Sequence, residues 1–255
     1  MLQTRVIPVL LLKGQGLVKT VQFKNEKYIG DPINALKIFN DKEVDEIAFL
    51  DITASKEKRE PNYTLIHQIA GECFMPLSYG GGVKTIEQIR KILSLGVEKV
   101  IINTQAAENL DFIREAAQLF GSSTVVVSID VKRSFFGKST VYTCSGTHNT
   151  KHNPVEYARS MEQAGAGELL INSIDCDGMM KGFDIDLIKS IVDAVNIPVI
   201  CCGGAGKNEH ISEVVQKTNV SGVSAGSMFV YQGPHKAVLI SYPNYTTLQA
   251  ILKKE

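Results

Sequence analysis

The sequence predicts an α/β fold of the (β/α)8 (TIM) barrel class, built from two similar half-barrels. Short apolar runs alternate eight times with amphipathic helical segments along 255 residues, an order that favours a closed parallel barrel. The spacing of motifs also repeats, because Asp51 precedes Gly82 by nearly the interval at which Asp175 precedes Gly204. We therefore expect one barrel domain that covers residues 1–255.

The predicted strands are apolar, β-branched runs that end in polar or small residues. They cover residues 6–13, 46–51, 76–79, 99–103, 125–132, 168–175, 198–202 and 221–225. The helices follow from apolar residues at helical spacing, and the first should begin at Asp31-Pro32, an N-cap followed by proline. They cover residues 34–40, 63–72, 85–95, 110–120, 154–164, 184–195 and 209–217.

Two longer connections interrupt this alternation. Residues 14–30 are polar and contain glycine, and their length predicts a mobile loop after the first strand. Residues 134–150 are expected to form a small hairpin before the next helix.

Composition excludes several classes of function. Lys plus Arg and Asp plus Glu both number 27, so no basic excess indicates nucleic acid. The apolar runs are far shorter than the ~20 residues that span a bilayer, and no signal stretch begins the chain. We expect a cytoplasmic protein with no membrane partner.

The cysteines predict neither a disulfide framework nor a zinc site, because their number is odd and no CxxC spacing occurs. We expect reduced thiols, no metal and no cofactor. The five residues are Cys73, Cys144, Cys176, Cys201 and Cys202.

Two glycine-containing loops stand after strands and before helices, where backbone N–H groups can bind an anion. Matching loops on opposite sides of one mouth predict a bisphosphate or other phosphorylated small molecule as ligand; alternatively, the glycines only permit tight turns. The first candidate phosphate site is Gly81, Gly82, Asn103 and Thr104, and the second is Gly204, Gly226 and Ser227.

Asp130 is the candidate catalytic residue, because it ends the fifth strand where barrel active sites lie. When residues 6–13 are aligned with residues 125–132, Leu11 stands opposite Asp130, and leucine cannot complete an acid–base pair. A structural role for Asp130 beside Lys132 or Lys13 is the alternative. Other carboxylates at strand ends are Asp51, Asp175 and Asp177.

Four charged residues stand at strand starts, at the opposite end of the predicted barrel. Two cations and two anions can form a ring of salt bridges, which either stabilises the floor or opens to admit a small neutral molecule. These four residues are Arg5, Glu46, Lys99 and Glu168.

The chain resembles the cyclase subunit (HisF-like) of imidazole glycerol phosphate synthase over nearly its whole length. The similar motifs are residues 49–55, 79–82, 102–104, 173–178 and 203–207. The resemblance implies two aspartates around the substrate, and ammonia that enters from a glutaminase subunit through the charged ring. Asp130 matches one aspartate and Leu11 replaces the other. Lys19 matches a lysine of the first loop, and Asp177 and Gly178 match ligand-binding positions.

Residues 5–13, 16–20, 72–76 and 237–243 resemble instead a paralogous branch found with surface-polysaccharide genes. This resemblance implies a glutaminase at the N-terminal face of the barrel and a separate sugar amidotransferase. The barrel would relay ammonia for amidination of an N-acetyl sugar in lipopolysaccharide or O-antigen biosynthesis.

Two other functions stay open. One is a cyclase of histidine biosynthesis, which converts a bisphosphate aminocarboxamide ribonucleotide plus ammonia to imidazole glycerol phosphate. The other is a phosphate-binding barrel that has no glutaminase partner.

Overall fold

A closed barrel of eight parallel strands forms the centre of the computed structural model, which describes residues 4–134 and 137–253. Each strand pairs with its neighbours along the chain, and the last strand pairs with the first from Arg5 opposite Gly222 to Pro8 opposite Ala225. The strands are β1 (Arg5–Lys13), β2 (Ile47–Asp51), β3 (Leu77–Gly80), β4 (Lys99–Ile102), β5 (Val125–Arg133), β6 (Glu168–Ser173), β7 (Val199–Cys202) and β8 (Gly222–Ala225).

Helices surround the barrel and follow its strands. Their starts obey local capping rules: the Asp31 side chain accepts a hydrogen bond from the Asn34 backbone N–H at 2.9 Å, and Thr85 and Gln88 form a capping box. The helices are α1 (Pro32–Asp41), α2 (Tyr63–Glu72), α3 (Ile86–Ser94), α4 (Thr104–Glu108), α5 (Leu110–Phe120), α6 (Pro154–Gln163), α7 (Ile185–Val192), α8 (Asn208–Lys217), α9 (Ser227–Val230) and α10 (Tyr245–Leu252).

The hydrophobic core has two layers because side chains alternate across each strand. On β1, Val6, Leu10 and Leu12 pack outward against the helices, whereas Ile7 and Val9 point into the barrel. The inner layer is apolar at mid-height. It comprises Ile7, Val9, Ala48, Ile101, Val126, Leu170, Ile200 and Cys202.

The predicted barrel is therefore confirmed, and one connection differs from expectation. Residues 14–30 were expected to be a mobile loop, but strands Gly16–Val21 and Lys24–Gly30 form an antiparallel hairpin on the end of β1. Leu17 and Val18 are buried there, so apolar contact adds to backbone pairing. The prediction missed this because the turn needs left-handed backbone at Gln22 and Phe23, two residue types that do not signal it.

The second long connection contains the expected hairpin, with strand Ser139–Thr143 pairing to both β5 and strand His148–Asn149. Residues 135 and 136 of that prediction lie outside the described residues. The sequence did not predict α4, α9, α10 or the short pairing of Tyr231–Gln232 with Ala237–Val238.

All five cysteines are free, and only Cys201 and Cys202 are buried. Within residues 4–134 and 137–253, no helix has the length and apolar character needed to cross a bilayer.

Candidate functional site: a mouth at the strand ends and a charged ring below

A cavity of about 310 Å³ opens at the carboxyl ends of the strands. Every residue predicted for ligand binding lines it, together with Asp130, so the two half-barrels do share one mouth. The lining includes Gly81, Gly82, Asn103, Thr104, Gly204, Gly226, Ser227, Lys19, Asp177 and Gly178. Their individual binding roles stay predictions.

The two glycine loops have matching backbone geometry. Gly81 has φ +118° and Gly204 has φ +121°, a left-handed region that side chains rarely adopt. A Cβ at Gly81 would overlap the carbonyl oxygen of Asp51, and one at Gly204 would overlap that of Gly182. Both positions therefore require glycine, and their loops bring backbone close to whatever occupies the cavity.

Asp130 is buried in the wall of this mouth, with 8% of its surface exposed. Ser128 Oγ donates a hydrogen bond to its Oδ1 at 3.3 Å, and Asn103 Nδ2 donates to its Oδ2 at 3.4 Å. Burial raises the pKa of Asp130 to about 7, with Asp177 adding to the shift. A carboxyl group with such a pKa can give or accept a proton near neutral pH.

The alternative role of Asp130, as a partner for Lys13 or Lys132, does not match the geometry. Lys13 forms an ion pair with Glu26, and Lys132 Nζ lies 5.8 Å from the centroid of the Tyr142 ring. Within the described part of the chain, no salt bridge joins Asp130 to either lysine.

Replacing Asp130 with asparagine should make folding stability less dependent on pH. The folded carboxyl keeps its proton up to about pH 7, whereas an unfolded aspartate loses it near about 3.9. Stability from the protonated form is complete below the unfolded pKa and is lost as pH rises through this window. Between these two pKa values, the free energy of unfolding of the wild type should fall by up to about 1.4 kcal/mol per pH unit relative to that of Asp130→Asn. Urea unfolding at several pH values measures this difference. Parallel pH curves would contradict a protonated Asp130.

The other strand-end carboxylates differ in their access to the mouth. Asp51 lines the cavity but accepts a hydrogen bond from Arg59 Nη2 at 2.8 Å. Asp177 also lines it, and its Oδ2 accepts one from Thr20 Oγ1 at 3.1 Å. Asp175 lies outside the lining and accepts one from the Arg133 backbone N–H. Asp51 and Asp177 are thus the carboxylates that could assist Asp130.

Lys19 extends from the hairpin into the mouth and is only 6% exposed. Its Nζ donates a hydrogen bond to the carbonyl oxygen of Val9 at 3.0 Å and lies against Gly226, where a Cβ would collide with it. Burial lowers the pKa of Lys19, and the negative charge of Asp177 opposes that shift. The hairpin therefore places an amino group, a hydrogen-bond donor, at the second glycine loop.

The four charged residues at the strand starts form a closed ring, as the sequence predicted they could. Arg5 forms ion pairs with both Glu46 and Glu168, the first at 2.6 Å. Lys99 Nζ lies 3.0 Å from Glu46 and 3.1 Å from Glu168. The two glutamates are 3% and 5% exposed, so their charges depend on these partners.

Directly above the ring is a second cavity of about 10 Å³, close to the ~10–15 Å³ that one water-sized molecule needs. Glu46 and Glu168 form part of its wall, and Ser78 and Ser224 add hydroxyl groups. Ser78 Oγ donates a hydrogen bond to Glu46 Oε1 at 2.8 Å, which links this cavity to the ring.

Sequence reasoning missed several residues of the mouth. Asn172 is the penultimate residue of β6 and Cys202 is the last residue of β7, and both side chains line the mouth. Leu50 lines it beside Leu11. Arg59, in the loop after β2, forms a salt bridge with Asp51, and no sequence pattern predicted this contact. Strand alternation could have found Asn172, because it lies two residues beyond the inward-facing Leu170. Among the described residues, no cluster of three His, Cys, Asp or Glu side chains suits a metal ion.

The fold and the site define a (β/α)8 barrel protein of two similar halves, with a cavity at the carboxyl ends of its strands and a charged ring at the opposite end. Residues 5–236 match the family model described as "Histidine biosynthesis protein", and the chain belongs to that family. Within it the chain is HisF-like, as its curated relatives are.

The chain is 55% identical over 248 residues to a Pseudomonas aeruginosa protein named "Putative imidazole glycerol phosphate synthase subunit hisF2", covering 97% of this chain and 99% of that protein. It is 48% identical to a Vibrio vulnificus protein named "Putative imidazole glycerol phosphate synthase subunit hisF3", covering 96% and 94%. It is 46% identical to a Petrotoga mobilis protein named "Imidazole glycerol phosphate synthase subunit HisF", and the match covers 91% of this chain and 92% of that protein.

Proposed function

We propose that the chain is the HisF-like barrel subunit of a glutamine-dependent amidotransferase system. In this proposal a glutaminase docks at the N-terminal face and its ammonia passes through the barrel. A separate sugar amidotransferase then uses the ammonia to amidinate an N-acetyl sugar in lipopolysaccharide or O-antigen biosynthesis. The observation that carries the proposal is a complete charged ring in a barrel whose mouth has Leu11 in place of an acid.

The position of the ring supports passage of ammonia from the N-terminal face. Among the described strands, the ring is the only layer of charge between that face and the apolar interior of the barrel. Ammonia is neutral when unprotonated and can cross the layer of Val9, Ala48 and Leu170, whereas an ion would lose its hydration there. The small cavity between the ring and this layer has room for one such molecule.

Leu11 argues against ring closure at the mouth. Its strand β1 lies opposite β5 in the eight-stranded ring, so an aspartate at position 11 would face Asp130 across the cavity. A leucine leaves one titratable group where acid–base catalysis uses a donor and an acceptor.

One observation favours the alternative, a cyclase of histidine biosynthesis that forms imidazole glycerol phosphate. Asp130 keeps a pKa of about 7 in a mouth with two glycine loops, which suits proton transfer on a bisphosphate substrate. Asp51 or Asp177 would then have to replace the missing acid.

Substituting Lys99 with alanine tests the relay. In an assembly of barrel, glutaminase and sugar amidotransferase, the variant should change product formation from glutamine severalfold. Formation from added ammonium salt should stay the same, because free ammonia reaches the acceptor without crossing the ring. The matched control is Lys189→Ala, which removes an exposed salt bridge to Asp193 at 3.1 Å.

Equal effects of Lys99→Ala on both nitrogen sources would reject the gate. Failure of any glutaminase to copurify with the tagged chain from its source cells would favour a phosphate-binding barrel without such a partner. Stimulation of glutaminase activity on mixing would support the assembly.

A further inference from the structure

Asn172 is a polar residue of the mouth, and its side chain packs against Gly203. It is the penultimate residue of β6, lines the large cavity and is only 8% exposed. Its buried Oδ1 accepts no hydrogen bond from the described residues. A buried amide without a partner is costly, and such groups often mark the place of a ligand.

The neighbours of Asn172 make one side of the mouth polar. Strand register places it beside Asp130 of β5 and Cys202 of β7, and all three side chains line the cavity. Ser128 and Asn103 each donate a hydrogen bond to Asp130, but neither donates one to Asn172 Oδ1.

The side opposite carries an apolar patch. In a closed ring of eight strands, β1 and β2 face β5 and β6, so the pair Leu11 and Leu50 faces the pair Asp130 and Asn172. Val9 continues the apolar surface below Leu11. The mouth therefore offers polar groups at Asp130 and Asn172 and, across from them, a hydrocarbon patch formed by Leu11, Leu50 and Val9.

We propose that Asn172 binds an amide group of the ligand, and that the acetamido group of a phosphorylated sugar is the form that fits. This proposal rests on the proposed function and adds that the barrel itself holds the acceptor's N-acetyl group. The side-chain amide of Asn172 has one donor end and one acceptor end, which complement the C=O and N–H of another amide. The acetamido methyl group lies against Leu11 and Leu50.

A carboxamide on a ribonucleotide carries the same amide chemistry but lacks the methyl group. It would leave Leu11 and Leu50 without an apolar partner, so it should bind more weakly. The phosphate of either ligand occupies a glycine loop, where the amino group of Lys19 adds a hydrogen-bond donor at Gly226.

Calorimetric titration of the full chain tests the proposal with three probes. These are N-acetylglucosamine 1-phosphate, glucose 1-phosphate, which lacks the acetamido group, and aminoimidazole carboxamide ribonucleotide. We expect the acetamido sugar to bind roughly tenfold more tightly than glucose 1-phosphate, the gain that one well-placed amide contact provides. The carboxamide ribonucleotide should bind less tightly than the acetamido sugar.

Asn172→Ala should weaken binding of the acetamido sugar by a larger factor than binding of glucose 1-phosphate, and so remove the preference between the two. Leu11→Asp should reduce the same preference by making the apolar side polar. Asn196→Ala, at an exposed position, is the matched control and should keep the preference. Thermal unfolding of each variant establishes that it is folded.

Equal affinity of the wild type for the two sugar phosphates would overturn the proposal, as would no binding of either. Tighter binding of the carboxamide ribonucleotide would also overturn the acetamido assignment. These outcomes are separate from the Lys99→Ala experiment. The relay can fail while the acetamido preference persists, and the preference can be absent while the relay operates.

Discussion

Leu11→Asp is expected to raise ring closure of a bisphosphate aminocarboxamide ribonucleotide with ammonium by roughly 10²–10⁴-fold, the usual contribution of a general acid or base. The wild type should show almost no such turnover. Position 11 lies in the mouth on the strand opposite Asp130, so a new carboxylate there would complete a pair of titratable groups around the cavity. The measurement is formation of imidazole glycerol phosphate by the purified chain in ammonium salt.

Leu11→Asn is the matched control because asparagine has the shape of aspartate without its acid. It should stay as inactive as the wild type. Wild-type turnover near that of an ordinary cyclase would contradict the relay proposal and favour the histidine-biosynthesis alternative. Equal activity of the Asp and Asn variants would show that polarity, and not proton transfer, had been missing.

Glu46→Ala should lower the free energy of unfolding by about 3 kcal/mol, near the lower limit for breaking a buried charge network. Glu46 is 3% exposed and binds Arg5, Lys99 and Ser78, so its removal leaves two cations sharing Glu168. Because the Arg5 and Lys99 side chains are 28% and 19% exposed, water will screen part of the excess charge.

Urea unfolding measures this loss, and Glu46→Gln should recover part of it by keeping a hydrogen bond to Ser78. The matched control is Glu213→Ala, which removes an exposed salt bridge to Lys217 at 2.7 Å and should cost less than about 1 kcal/mol. Equal losses at the two positions would mean that the ring contributes no more than a surface ion pair.

Much of the barrel could be predicted from local patterns. Apolar runs located all eight strands to within a few residues, and Asp31-Pro32 marked the start of α1 because capping depends on adjacent residues. Residues 14–30 were interpreted wrongly, since their turn uses left-handed backbone at Gln22 and Phe23 and their pairing is supported by burial of Leu17 and Val18. Tertiary contact decided that segment, and no local pattern reports it.

The same limit applies to the candidate site. Glycine spacing indicated the two loops, and the charges at strand starts indicated the ring. Asn172 was missed because a lone asparagine at a strand end has many ordinary roles, and its unpaired amide becomes evident only when its neighbours are in place.

The sequence by itself determined the barrel, its twofold repeat, the absence of an acid at Leu11 and the four charges of the ring. These are properties of residue type and of spacing along the chain, so they can be recognised without knowing which distant residues come into contact. Only the tertiary structure decided that Leu11 and Leu50 face Asp130 and Asn172, and that burial raises the pKa of Asp130 to about 7. Both depend on closure of the ring of strands, which brings residues far apart in the chain around one cavity and removes them from water.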